Sequence, residues 1–322
     1  MLSDILIIAL GFGLLVLGGE MLVRGAVGLA ERLKVSAFVI GAVIIGFGSS
    51  MPELVTSIEA GLRGAPGIAI GNIVGSNIIN ILVVIGIAAV IAPIALSAKH
   101  VRLDTMLVCT LSAIFVAICA AVELSPVIGA IFLAMLAIYL TYAIRREMSA
   151  AGGASGARAP SVEEGADCTT PAAAKSIATV ATGIAAGLCL VVVGGHFVVD
   201  AAVTLAKSIG VSEAIIGLTV VAFGTSLPEI VTAVVAAFRR HADVALGNVL
   251  GSCVFNLLAI GGAIAIISPA GVPAEIVRFD NLIMLAATVL LLAAVSFSRH
   301  IGRPLGAVFL GGYATYLVAI WP

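Results

Sequence analysis

Residues 46–57 read GFGSSMPELVTS, and residues 222–233 read AFGTSLPEIVTA. In each, an acid follows a proline and two hydroxyl residues inside a strongly apolar run. Glu53 and Glu229 stand 176 positions apart, and the offset persists without a gap. Gly18-Gly19 maps to Gly194-Gly195, Val35-Ser36 to Val211-Ser212, Gly41 to Gly217, and Gly71-Asn72 to Gly247-Asn248. Gly75-Ser76 then maps to Gly251-Ser252, Asn80 to Asn256, and Gly86 to Gly262. A register this long marks two homologous halves.

Composition says where those halves live. Of 322 residues, 61% are hydrophobic and 10% charged, with a mean hydropathy of +1.26, whereas soluble domains carry about one quarter charged residues. Ten apolar runs near the length needed to cross a bilayer are predicted at 4–23, 36–60, 67–93, 104–122, 125–144, 177–200, 211–237, 244–268, 280–298 and 303–321. The first carries Asp4 and no basic leader, so it reads as a retained helix and not a signal peptide. The expected fold is all-α and integral to the membrane, with ten transmembrane helices.

Thirteen of the sixteen Lys and Arg residues fall in one set of loops; only Arg63, Lys207 and Arg278 fall in the other. The positive-inside bias then puts both termini outside and the central loop in the cytoplasm of a cytoplasmic (inner) membrane protein. Five segments per half reverse the threading of the second half. Two inverted five-helix repeats are predicted, residues 1–147 and 177–322, the arrangement that places a transporter's site where broken helices of both halves meet. Residues 148–176, rich in Ala, Gly, Ser and Pro, read as a mostly disordered cytoplasmic linker. Its acids, Glu163, Glu164 and Asp167, lack EF-hand spacing. The five cysteines lack CxxC spacing, and a net charge of −1 points to no nucleic-acid partner.

A carboxylate at bilayer depth costs roughly 2.5–3.5 kcal/mol on insertion scales and normally marks an ion path. On a continuous helix Ser49 and Ser50 would share the face of Glu53, and Thr225 and Ser226 that of Glu229. Pro52 and Pro228 interrupt the backbone bonding, and Gly46, Gly48 and Gly224 make unwinding cheaper. Carbonyls are thereby released beside a fixed charge, which is tolerated at this depth only where they line a cavity. The next segments, GNIVGSNIIN at 71–80 and GNVLGSCVFN at 247–256, add Asn72, Ser76 and Asn80 and their equivalents Asn248, Ser252 and Asn256 as one polar stripe each. Glycines at four-residue spacing serve close helix packing as well, and for Asn72 and Asn248 interhelical glue competes evenly with ligation.

Such a set of hard oxygens suits Ca²⁺ and offers no His or Cys cluster for zinc or copper. Two carboxylates balance one Ca²⁺ or two Na⁺, so the two loads compete, and antiport follows. No cofactor and no enzymatic activity are expected; the transported ions are the ligands. Coupling to H⁺ or K⁺ is the alternative within transport, and an intramembrane hydrolase is the alternative outside it. The hydrolase lacks a nucleophile with a basic partner and would assign its two acids unlike surroundings. Glu59, Asp104, Glu123 and Asp280 read as solvated helix-end residues, and Glu20 and Arg24 as interface anchors.

These paired motifs resemble the calcium:cation antiporter superfamily and, within it, the prokaryotic sodium/calcium exchanger branch, over essentially all of both halves. The resemblance implies that Glu53 and Glu229 bind a central Ca²⁺ with backbone oxygens of Ser49 and Thr225. It implies flanking Na⁺ sites at Ser50, Ser76, Ser226 and Ser252 with carbonyls of Gly46 and Ala222, and Asn80 in the central layer opposite Asn256. Some members carry Asp at the position of Asn256, and Cys253 replaces the Asn expected from Asn77, which leaves stoichiometry and coupling open.

Overall fold

The computed structural model describes residues 2–33, 35–96, 99–153, 177–208 and 222–320. Apart from one two-residue strand pair, the regular structure is helical. The first half contains α1 (Leu2–Leu33), α2 (37–49), α3 (Met51–Leu62), α4 (Pro66–Ile91), β1 (Ile94–Ala95), α5 (Lys99–Ala121) and α6 (Pro126–Gly153). The second contains α7 (Ile177–Ser208), α8 (Ala222–Thr225), α9 (Leu227–Phe238), α10 (Ala242–Ile267), α11 (Ile276–Phe297), β2 (His300–Ile301) and α12 (Arg303–Ile320). Among the described residues nine helical runs are long and apolar enough to cross a membrane. The tenth expected span, 211–237, is described only from residue 222. The protein is an all-α multi-pass membrane protein built of two inverted repeats.

Inversion is visible in the packing. α1 and α7, equivalent in the two halves, run antiparallel in close contact. A Cβ on Gly11 would lie 2.8 Å from the Gly194 carbonyl oxygen, and one on Gly18 would lie 2.8 Å from that of Gly187. Shifting either pair by 176 residues produces the other. α5 packs on its own equivalent α11, α6 lies on α10, and α12 lies on α4. Bare glycine backbones let these helices approach closely enough for dispersion to hold them where lipid removes the hydrophobic driving force.

The ends of the elements repeat as well. After α3 a Schellman turn closes with Ala65 N–H on the Ala60 carbonyl at 2.9 Å and Gly64 at φ 71°. After α9 the same turn has His241 N–H on Ala236 at 2.8 Å, with Arg240 at φ 59°. Glycine takes the left-handed conformation without penalty; arginine does not. β1 pairs antiparallel with β2, Ile94 opposite Ile301, and ties the end of α4 to the turn before α12. The equivalent link on the other face is the Leu124 N–H bond to the Ala270 carbonyl, 3.0 Å.

Two expectations are corrected. α6 runs on to Gly153, past the expected boundary at 147, so the linker reading applies to 154–176, outside the described residues. Asp104 is buried instead of solvated, and Asp280 is bonded within the fold. Arg146 of α6 grips Asp104 through two bonds of 2.9 Å, with the two side chains 11% and 5% exposed. Asp280 accepts the Tyr316 hydroxyl at 2.8 Å. In both halves the fifth helix fastens an aspartate at the start of the fourth, which satisfies a polar group that sequence position alone leaves free. Breaking such a buried pair from one side costs about 3–5 kcal/mol, more than replacing both partners by apolar groups. Asp104→Ala is therefore expected to lower the thermal unfolding midpoint in detergent further than Asp104→Leu combined with Arg146→Met.

Candidate functional site

The local geometry of both acids follows from a one-residue break. α2 ends at Ser49 and α3 begins at Met51, leaving Ser50 at φ −84°, ψ 11°. α8 ends at Thr225 and α9 begins at Leu227, leaving Ser226 at φ −87°, ψ 5°. Pro52 and Pro228 sit in the first turn of the new helices, where a missing N–H costs nothing. Glu53 and Glu229 therefore lie at helix N-termini, whose partial positive charge favours a carboxylate. In α2 the Gly46 carbonyl accepts from the Ser252 hydroxyl at 3.0 Å. The proline thus starts a helix in place of kinking one.

The break also redirects the hydroxyls. On a continuous helix Ser49 and Ser50 would accompany Glu53; here they reach across to the other half. The Ser49 hydroxyl donates to Glu229 Oε1 at 2.9 Å and the Ser50 hydroxyl donates to the same oxygen at 2.8 Å. Reciprocally, Ser226 donates to Glu53 Oε1 at 3.1 Å. Ser252 lies 3.0 Å from the Gly46 carbonyl and 3.4 Å from Glu229 Oε1, and Asn248 Oδ1 lies 3.3 Å from Ser49 Oγ. Both carboxyls are fully buried.

One oxygen of each carboxyl remains without a partner, Oε2 of Glu53 and Oε2 of Glu229. So do Ser76 Oγ, Asn248 Nδ2 and both amide atoms of Asn80 and of Asn256, all in buried side chains. Native interiors leave few such atoms, because each costs about 1–3 kcal/mol. Several of them lie on helical segments that pack against those bearing the carboxyls, as in a polar site. Thr225 is also buried, and Ala222 opens α8 at its start. The structure thus brings Ser49, Ser50, Gly46, Glu229 and Ser252 into one bonded cluster and Ser226 and Glu53 into a second, with Ser76, Asn80 and Asn256 buried on α4 and α10.

Asn80 and Asn256 owe their setting to π-turns at Ile79–Val84 and Asn256–Ile260. In each the asparagine carbonyl accepts a bond from five residues on, Ile85 N–H or Gly261 N–H. Such single wide turns commonly mark functional positions in helices. Asn72 is glue: its amide donates to the Glu53 carbonyl at 3.1 Å and to Ser57 at 2.9 Å, fastening α4 to α3. Asn77 turns back to the Ile73 carbonyl at 2.6 Å. Sequence reading passes over Thr232, fully buried with its hydroxyl unpartnered; its spacing of three from Glu229 is the signal that would have found it.

At the basic end of α1, Glu20 is no isolated anchor. It pairs with Arg24 in its own helix and with Arg239 of the second half, whose Nε lies 2.9 Å from Glu20 Oε2. At the equivalent positions in α7, His196 Nε2 lies 3.1 Å from the Asp200 carboxylate. Among the described residues there is no group of three or more His, Cys, Asp or Glu side chains able to hold a metal ion. The donors gathered here are two carboxyls with hydroxyl, amide and carbonyl oxygens, a set suited to hard ions.

Comparison with known proteins agrees with this architecture. Residues 3–145 and 179–321 each match the family described as sodium/calcium exchanger protein. The chain is 37% identical over 312 residues to an uncharacterized membrane protein of Methanocaldococcus jannaschii, covering 97% of this chain and 95% of that one. It is 30% identical to the sodium/calcium exchanger MaX1 of Methanosarcina acetivorans, covering 99% and 98%. Its structure superposes on that of the sodium-calcium exchanger NCX_Mj with a TM-score of 0.84 at 29% identity, covering 99% of both chains. With both halves matched and the whole fold shared, the chain belongs to the sodium/calcium exchanger family.

Proposed function

We propose that this protein exchanges Ca²⁺ for Na⁺ across the cytoplasmic (inner) membrane by alternating access to a site between its two halves. The observation that carries the reading is the pair Glu53 and Glu229, fully buried, each with one oxygen bound by a serine of the opposite half and the other oxygen unpartnered. A hydroxyl that gives its proton to a carboxylate keeps its lone pairs for a cation. Ser49, Ser50 and Ser226 are oriented in that sense. NCX_Mj is described as undergoing extracellular ion exchange and induced occlusion of its binding site, and the same cycle is what two inverted halves around one site support.

In this reading Glu53 and Glu229 hold Ca²⁺ with backbone oxygens of Ser49 and Thr225. Na⁺ takes flanking positions at Ser50, Ser76, Ser226 and Ser252 with the carbonyls of Gly46 and Ala222. Asn80 and Asn256 form the central layer. Two negative charges offset one Ca²⁺ or two Na⁺ in a region of low dielectric, where surplus charge is expensive; the ions therefore exclude one another. The two repeats, the first carried by α6 to Gly153 and the second starting at Ile177, are joined through a cytoplasmic segment, with both termini outside, as the basic loops favour. Each acid accepts from a serine of the opposite half and keeps one oxygen free, a shared pattern that argues against a hydrolase with one acid and one base.

Uptake of ⁴⁵Ca²⁺ into vesicles holding the purified protein tests the coupling. An outward Na⁺ gradient is expected to drive uptake, and an acid-inside pH gradient without Na⁺ is not. Uptake driven by the pH gradient alone would establish proton coupling, the second reading, which the unpartnered carboxyl oxygens keep in view as places for a proton. Calcium that moves with neither gradient removes the exchange reading altogether.

A further inference from the structure

Asn72 and Asn248 hold equivalent places in the two repeats and are bonded differently. The Asn72 amide nitrogen is committed to α3, donating to the Glu53 carbonyl at 3.1 Å and to the Ser57 hydroxyl at 2.9 Å. The position equivalent to Ser57 is Ala233, which has no hydroxyl. Asn248 Nδ2 is without a partner although its side chain is fully buried. A fastener between helices bonds through that nitrogen, so Asn248 does not do the work of Asn72. What it offers is oxygen: Oδ1 lies 3.3 Å from Ser49 Oγ. The repeat explains the orientation, since in Asn72 the nitrogen is the end that meets the acid-bearing helix, and the oxygen of Asn248 is then the end left for Ser49.

Ser49 has one hydroxyl proton and three acceptors within reach: Glu229 Oε1 at 2.9 Å, Asn248 Oδ1 at 3.3 Å and the Gly46 carbonyl at 3.4 Å. The carboxylate, nearest and charged, takes it. Asn248 Oδ1 then faces the Ser49 oxygen with no proton between them. Ser50 Oγ lies 2.8 Å from the same Glu229 Oε1, and Ser252 Oγ lies 3.4 Å from it and 3.0 Å from the Gly46 carbonyl. Six oxygens are thus linked by separations of 2.8–3.4 Å. A cation with oxygens at about 2.3–2.6 Å sets neighbouring ligands about 2.8–3.6 Å apart, so this is the spacing of a coordination shell. One of the six belongs to a carboxylate and five are neutral, a balance that suits a monovalent ion at low dielectric. Building on the exchange reading above, we propose that Asn248 is a further Na⁺ ligand, adding Oδ1 to the flanking position formed at Glu229 by Ser49, Ser50, Ser252 and the Gly46 carbonyl. Its counterpart Asn72 keeps a structural role.

The test reads binding, not transport. Na⁺ affinity is taken from the thermal unfolding midpoint of the purified protein against Na⁺ concentration, with choline holding ionic strength constant, and Ca²⁺ affinity from calorimetry. Asn248→Ala is expected to weaken Na⁺ binding about tenfold, the worth of one polar contact to a charge. Ca²⁺ affinity should stay nearly unchanged, because Ca²⁺ takes the unpartnered Oε2 atoms of the two acids. Ion-free stability should not fall, since the substitution removes an unpartnered nitrogen; Asn72→Ala, which removes two bonds, should lower it. Asn248→Asp keeps an oxygen, lacks an N–H and adds a charge, so at alkaline pH it should tighten Na⁺. Wild-type Na⁺ affinity in Asn248→Ala, or equal weakening of Na⁺ and Ca²⁺, overturns the ligand role while the exchange reading stands. An Asn248→Asp protein as weak for Na⁺ as Asn248→Ala overturns it too, because the amide then acts as a donor that orients Ser49. A wild-type protein that Na⁺ does not stabilise removes the exchange reading and this inference together. Should Asn248→Ala fail to fold, Asn248→Asp against wild type decides, and unchanged Na⁺ affinity refutes the proposal.

Discussion

Glu53→Gln is expected to abolish Ca²⁺ binding and exchange while leaving the protein folded. The substitution removes one of two negative charges and little else, because Ser226 can still donate to the amide oxygen as it does to Glu53 Oε1. A unit charge about 4 Å from the ion is worth about 4 kcal/mol per ionic charge at an effective dielectric of 20, close to a thousandfold in affinity for Na⁺ and more for the divalent ion. Folding is spared for the same reason: a neutral amide is cheaper to bury than a carboxylate. Glu229→Gln should behave alike, although its Oε1 receives both Ser49 and Ser50. Calorimetry of Ca²⁺ and Na⁺ binding, read beside thermal unfolding of the same preparations, decides it. Wild-type exchange in either variant would detach the function from the two acids.

The second large effect lies in packing. A Cβ on Gly251 would stand 2.0 Å from the Ala42 carbonyl oxygen and 2.6 Å from the Ala42 Cα, and one on Gly247 would stand 2.1 Å from the Phe38 carbonyl oxygen. These neighbours are backbone, so no rotamer change relieves the clash, and α2 would have to move away from α10. Gly251→Val should cost more than about 4 kcal/mol, the range reserved for overpacked or broken cores. It would appear as failure to accumulate in the membrane or as early aggregation in size-exclusion chromatography. Gly311→Ala, on the exposed side of α12 with nothing near its Cβ, should be tolerated. A stable Gly251→Val protein would mean that α2 and α10 are not held as described.

How much of this was legible in the sequence depends on which forces decide each feature. The 176-residue register showed the two halves, their inversion and both acids, because motif spacing and the parity of apolar runs are properties of the chain alone. The helix break was legible in Pro52 and Pro228 but misplaced in its effect: reading helical periodicity through Ser50 assigned the hydroxyls to Glu53, whereas the interruption gives them to Glu229. Asp104 looked solvated because it lies near a helix end, and its partner Arg146 is 42 positions away; no local pattern announces a pair of that separation. Asn72 and Asn248 hold equivalent places yet do different work, since Asn72 finds Ser57 while the position equivalent to Ser57 is Ala233. Only a three-dimensional neighbour list separates glue from site. The π-turns are likewise invisible to apolar periodicity, which tolerates one extra residue per turn.

The crossing of hydroxyls between halves has a further implication. An isolated N-terminal half would hold Glu53 without the Ser226 that orients it, and an isolated C-terminal half would hold Glu229 stripped of Ser49 and Ser50. A single ancestral copy would therefore have been inert alone and could have worked only beside a second copy inserted upside down. After fusion, each half became the custodian of the other's acid, so a change at Ser50 is felt first at residue 229 and the two gene segments are bound to evolve together.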